Sequence, residues 1–321
     1  MRAKRSLVVL IILISMMGYS QTKVVYLENE YLKAGFLPDV GGRMVFIAPL
    51  GVRNFLYSDA DLWDEPETDR IDPKPGSPFK PYNGLITWLG PQSAWWTQQD
   101  ILPAKKKNAD VWPPDPYIIY SNYTIVEATK VRLVLESPPS PISGVKLTKI
   151  FELTGDSMVI EVIARNIRKK DVSWDLWSNA RFDAYTKFRL AVESEKDIRI
   201  DIDENLEIDF MRHSYVGGFF SFIAEKPSKS KEQRVSKAFI YPKRGEIIVT
   251  KNDWELFINF EKVERNLIHP EQALVEVYNK ISTGGKTDIL ELEHHSAYKT
   301  LRPGQEMSSK EVWSFKSVEK Q

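Results

Sequence analysis

Gly144-Val-Lys-Leu-Thr-Lys-Ile-Phe-Glu-Leu153, Thr154-Gly-Asp156 and Ser157-Met-Val-Ile-Glu-Val-Ile-Ala-Arg-Asn166 form the run whose reading decides the fold. Side chains alternate along both halves with the period of two that a strand imposes, and a glycine-containing turn separates them. The same pattern fills Tyr117 to Glu127 and Lys130 to Glu136, with another break at Ser137-Pro-Pro-Ser-Pro141. Regularly spaced strands with turn signals between them, and no alternation with helices, specify an all-β chain: a large two-layer antiparallel sandwich.

Working toward the N-terminus, Lys23 to Leu27, Tyr31 to Phe36, Arg43 to Ala48 and Asn54 to Tyr57 read as a meander, with Gly41-Gly42 making one tight turn. Between 58 and 116 the periodicity fails, and the composition turns to proline, acids and tryptophan. A stretch of that length inside a compact domain reads as a functional insert, expected here to line a groove. Trp88 and Gln92 suit sugar contact and packing equally well, whereas at least one of Trp95 and Trp96 is expected to pack.

Toward the C-terminus, Ser173 to Phe182 puts Asp175, Trp177, Asn179 and Arg181 on one strand face and Trp174, Leu176, Ser178 and Ala180 on the other. The first set can recognise hydroxyl groups. Short strands are expected at 199–203, 206–210, 238–241, 245–250 and 254–261, a deeply packed aromatic run at 219–222 and a charged loop at 226–235; no long amphipathic helix is visible, and Pro270 to Tyr278 has room for a short one. Asp288-Ile-Leu-Glu-Leu-Glu-His-His295 then sets Glu291 and Glu293 on the face opposite Leu290, Leu292 and His294, with His295 at the turn. Arg302-Pro-Gly-Gln305 reads as a turn into a last strand around Val312 and Ser314, so the two segments are expected to pair as a closing hairpin.

Composition narrows the function. Arg2, Lys4 and Arg5 precede the apolar run Leu7 to Met17, so residues 1–20 read as a signal peptide and 21–321 as one exported domain, periplasmic or secreted. The 321 residues contain no cysteine, which leaves no disulfide and no lipid-attachment site. A formal charge of zero argues against nucleic acid. No phosphate-cradling loop is present and no cofactor is expected. No metal is expected either, although Glu291, Glu293 and backbone oxygens offer what calcium asks for. The processed protein is not expected to be integral to a membrane.

Leu290-Glu-Leu-Glu293 followed by Leu301-Arg-Pro-Gly304, together with Pro38-Asp-Val-Gly-Gly-Arg-Met44, resembles the C-terminal and opening motifs of the galactose mutarotase (aldose 1-epimerase) superfamily, in a bacterial secreted subgroup. The resemblance implies a β-supersandwich and proton transfer at a sugar's anomeric centre. It makes Glu291 the base. It sets Asp175, four residues before Asn179, where the family has its acidic histidine, while the family's early histidine has no counterpart at Asn83 to Ile86. Arg43, Trp88, Gln92, Trp177, Asn179, Arg181 and Glu293 become positioning residues, with His213 an outside candidate for the acid. The partner is then a small or oligomeric carbohydrate. A binding module without turnover is the alternative, and a polysaccharide lyase or hydrolase with paired carboxylates a more distant one.

Overall fold

The computed structural model describes residues 24–201, 208–285 and 287–318. The leader read at 1–20 lies outside them, as does the middle of the strand pair expected at 199–210. In chain order the strands begin β1 (Val25–Glu28), β2 (Leu32–Leu37), β3 (Arg43–Pro49), β4 (Leu85–Gly90), β5 (Thr124–Ala128), β6 (Arg132–Glu136) and β7 (Val145–Thr154). They continue as β8 (Ser157–Asn166), β9 (Val172–Phe182), β10 (Lys187–Ala191), β11 (Ile198–Asp201), β12 (Arg212–Val216), β13 (Phe219–Ile223) and β14 (Gln233–Ile240). The last are β15 (Glu246–Lys251), β16 (Trp254–Phe260), β17 (Val275–Ser282), β18 (Ile289–His295), β19 (Lys299–Leu301) and β20 (Glu306–Ser317). Two short helices, α1 (Pro103–Asn108) and α2 (Pro116–Ile119), lie between β4 and β5.

One antiparallel sheet has the order β1-β2-β3-β4-β9-β18-β17-β14-β11, with β19 added at the start of β9. The other has the order β12-β13-β10-β15-β16-β20-β8-β7-β6-β5. Their facing sides share one apolar core, in which Phe182, Leu290 and Leu292 of the first sheet meet Ile160, Leu256 and Trp313 of the second. Each such side chain contributes about 1.5–3 kcal/mol by leaving water. The two-layer sandwich therefore stands as the sequence implied. Among the described residues no helix is long and apolar enough to cross a membrane.

Several local expectations are corrected. β18 and β20 do not pair: β18 lies between β17 and β9, and β20 between β16 and β8 in the opposite sheet. β19 still pairs with β9 in the first sheet, and the Pro303-Gly304 turn then passes the chain to β20 in the other layer. The 58–116 stretch is not one insert, because β4 runs through it as a central strand beside β9. All six β4 residues are buried, and a strand covered on both faces shows no alternation to read. Pro270 to Tyr278 is no helix, since β17 starts at Val275. Tyr117 to Ile119 is helical, Asn54 to Tyr57 is not a strand, and β14 begins inside the expected loop.

Candidate functional site

Neighbouring strands of the first sheet set their side chains in rows. One row runs Trp88, Trp177, His295; the next pairs Asn179 with Glu293 and Glu293 with Glu276; a third pairs Arg181 with Glu291 and Glu291 with Tyr278. Period two turns this whole set away from the core, because the intervening Ser178 and His294 point to Glu311 of the second sheet. Loops before and after β4 cover the rows, leaving a cavity of about 580 Å³ whose floor is Arg181, Lys237, Glu291 and Glu293, flanked by Trp88 and Trp177 of the next row.

The floor is held from below and from the side. Arg181 Nη2 lies 2.8 Å from Glu291 Oε1, and its Nη1 donates to Asn83 Oδ1 at 2.9 Å. Asn83 can reach it because the Asn83-Gly84 turn takes left-handed backbone angles, and a Cβ on Gly84 would stand 2.3 Å from the Met44 carbonyl oxygen. Glu293 accepts from Trp177 Nε1 at 2.9 Å and Asn179 Nδ2 at 3.3 Å, and Lys237 Nζ is 3.4 Å away. Lys237 makes a closer pair with Glu276 at 2.6 Å. Behind Glu276, His295 donates through Nδ1 to Asp175 at 3.0 Å and faces Glu276 through Nε2 at 3.4 Å.

Charge is distributed unevenly over this floor. Burial, then Glu291 and Glu276, push the Glu293 carboxyl up to about 8 against the pull of Lys237 and His295. Burial acts the same way on Glu276, but Lys237 and His295 outweigh it and hold it down at about 2. For His295 burial opposes the charge, yet Asp175 and Glu276 overcome it and raise the imidazole to about 9. Lys237, also opposed by burial, is held above the usual lysine range by Glu293 and Glu276. Glu293 and Glu291, two acidic side chains on one strand face, thus sit in different environments, the first pushed up to about 8 and the second against a guanidinium.

Of the residues singled out in the sequence, Trp88, Gln92, Trp177, Arg181, Glu291 and Glu293 line the cavity. Asn179 stands directly behind Glu293. Asp175 is 1% exposed and does not line the cavity; it supports His295 instead. Arg43 gives its guanidinium to the carbonyls of Val40, Asn83 and Ile119, which makes it a staple between turns. His213 is exposed on β12 of the other sheet, far in topology from the cavity floor. Trp95 and Trp96 are both buried. Glu276, Lys237 and Tyr278 were not singled out, although Glu276, Tyr278 and Lys280 alternate with Val277 and Asn279 in the way that marks a strand face.

Glu276, Glu293 and His295 bring three donor atoms within 4.8 Å of one another, a spacing a metal ion could use. The Lys237 ammonium already lies between the two carboxylates and supplies a covalently attached cation there.

A family model described as a domain of unknown function, DUF4380, matches residues 22–316. No curated protein matches the sequence. Among solved structures, a galactose mutarotase-like protein from Lactobacillus casei is 9% identical, with a TM-score of 0.59 over 92% of this chain and 100% of that one. A candidate aldose 1-epimerase from Escherichia coli K12 is 11% identical, with a TM-score of 0.56 over 92% and 99%. A galactose mutarotase-like protein from Clostridium acetobutylicum is 12% identical, with a TM-score of 0.53 over 92% and 95%. The chain shares the fold of these proteins.

Proposed function

The chain belongs to the family described as domain of unknown function DUF4380, and from the geometry of its floor we propose a carbohydrate-active protein of aldose 1-epimerase type. The observation that carries this reading is the Glu291–Glu293 pair: two carboxyls on one face of β18, one against Arg181 and one pushed up to about 8, beside two indole rings. A pyranose offers apolar C–H faces to the rings and hydroxyls to the charged floor. Glu293 gives its proton to the ring oxygen while Glu291 takes the proton of the anomeric hydroxyl. The bond from the anomeric carbon to the ring oxygen breaks, an open-chain aldehyde forms, and reclosure on the other face with the proton transfers reversed yields the second anomer. Asp175, His295, Glu276 and Lys237 act behind Glu293 and fix where its proton sits.

One observation favours binding without turnover: Arg181 holds Glu291 at 2.8 Å and must yield before that carboxylate can take a proton. Anomer exchange of free sugars followed by NMR separates the two readings. An aldose 1-epimerase accelerates exchange, and Glu291→Gln and Glu293→Gln each cut the acceleration by roughly 10²–10⁴-fold while sugar still binds. Binding with no acceleration in the parent protein decides for the module, and full activity in Glu291→Gln removes that residue as the base. Acceleration also declines as pH rises through about 8, where Glu293 loses its proton, and Glu293→Gln has no such limb.

A further inference from the structure

We propose that the cavity takes a reducing oligosaccharide of at least two units, with its terminal hemiacetal ring over Glu291 and Glu293 and its second ring on the indole of Trp112. The inference rests on the reading of the floor as a sugar site and names the class of sugar. Size is the first argument. The cavity of about 580 Å³ falls within the roughly 300–1,000 Å³ of sites that enclose drug-sized ligands, and a single pyranose leaves much of it unfilled.

The state of Trp112 is the second. Its side chain lines the cavity and is 45% exposed, so a flat indole surface is open to whatever fills the cleft. It is not loose. The ring packs on Phe79 at 4.9 Å and edge-on to Trp88 at 6.4 Å. Its backbone is pinned on three sides: Gln92 Nε2 donates to the Val111 carbonyl at 2.9 Å, Lys105 Nζ to that of Trp112 at 3.0 Å, and Trp96 Nε1 to that of Pro113 at 2.8 Å. A ring held in place before the ligand arrives loses little freedom on binding, which is how flat aromatic surface becomes affinity. Past the floor the cavity offers Lys280, Thr287 and Asp288, none of which gives a flat apolar face, and of its two exposed aromatics, Tyr57 at 37% and Trp112 at 45%, Trp112 is the larger and the more open. The chain of sugar rings therefore leaves the floor toward Trp112.

The test is calorimetric titration of the full protein with glucose, galactose and mannose and with reducing disaccharides that end in them: maltose, cellobiose, galactobiose and mannobiose. At least one disaccharide binds about tenfold more tightly than its reducing-end monosaccharide, the scale of one good ring contact. Trp112→Ala removes that gain and leaves monosaccharide affinity within about twofold, while Trp112→Phe keeps most of it. Circular dichroism confirms that the exposed-site variants fold. Equal affinity for one ring and two, or a Trp112→Ala loss shared alike by both, overturns the second-ring contact while the floor reading survives. If none of the seven sugars binds, the floor reading falls, and this inference falls with it.

Discussion

His294 and His295 are consecutive on β18 and live in different proteins, so to speak: one in the core, the other behind the cavity. His294 faces the second sheet, where its Nε2 donates to Glu311 at 3.0 Å and its ring stacks on Phe260 at 4.3 Å. Glu311 also accepts from Trp313 Nε1 at 2.8 Å and Ser178 Oγ at 3.0 Å, so the buried acid is fully served. His295 faces the other way, with Nδ1 3.0 Å from Asp175 and Nε2 3.4 Å from Glu276, and beside it Asp175 Oδ2 makes no hydrogen bond. Buried polar groups are ordinarily satisfied. The core pair obeys that rule and reads as architecture. The cavity-side group breaks it at Asp175 Oδ2, two side chains away from the carboxyl that burial pushes up to about 8.

The largest effect should come from the core side. Glu311→Ala leaves His294, Trp313 and Ser178 as buried donors without an acceptor, and breaking a buried pair in this way costs about 3–5 kcal/mol. Denaturant unfolding measures it. Sugar binding at a temperature where the variant is folded should stay at the parent level, because none of these side chains lines the cavity. A loss below 1 kcal/mol would mean the core pair is not structural.

The two groups also respond to opposite ends of the pH scale. Burial works against the charge on Glu311, but His294, Trp313 and Ser178 outweigh it and hold the carboxyl below the usual range. Its contribution is present above the unfolded value and fades as pH falls below it. His295 is raised to about 9, so its contribution is complete below ~6.5 and is lost as pH climbs through about 9. Parent minus His295→Gln stability should therefore shrink by roughly 3 kcal/mol between pH 6 and pH 10. Parent minus Glu311→Gln should instead grow from acid to pH 5 and then stay level. An acid limb remains in Glu311→Gln because Glu276, held at about 2, loses its own contribution between ~4.5 and that value. Two difference curves of the same shape would erase the distinction.

How far this division was legible in the sequence depended on strand ends. Alternation alone separated Glu291 and Glu293 from His294, and Asp175, Trp177, Asn179 and Arg181 from Ser178, and both separations hold in the register of β9 against β18. It failed at His295, because the sequence shows no break telling whether a strand runs one residue further, and that residue is the one that reaches Asp175. Glu276 was lost for a related reason. Glu271-Gln-Ala-Leu-Val-Glu276 is composed largely of good helix formers, and only pairing with β14 and β18 makes the segment from Val275 a strand. Lys237 falls in the gap between the loop expected to end at Val235 and the strand expected from Ala238, whereas β14 runs from Gln233 to Ile240. The acid expected at Asp175 shifts in the proposal to Glu293, because both carboxyls are buried to the same degree and sequence spacing cannot say which of them borders the cavity.

The smallest test uses neighbours on β9. Ser178 gives Glu311 one of its three donors, and Asn179 gives Glu293 one of its own. Ser178→Ala should cost about 1 kcal/mol of stability, the worth of one buried hydrogen bond, and leave the alkaline limit of anomer exchange at the parent's pH. Asn179→Ala removes a donor that favours the charged form of Glu293, so the carboxyl should hold its proton to higher pH and the limit should move up from about 8. Here the direction of the shift carries the argument, since a packing defect at Asn179 lowers the rate at every pH and leaves the limit in place. If Ser178→Ala moves the limit as far as Asn179→Ala, the two faces of β9 do not act separately, and the contrast between the consecutive histidines loses its functional meaning.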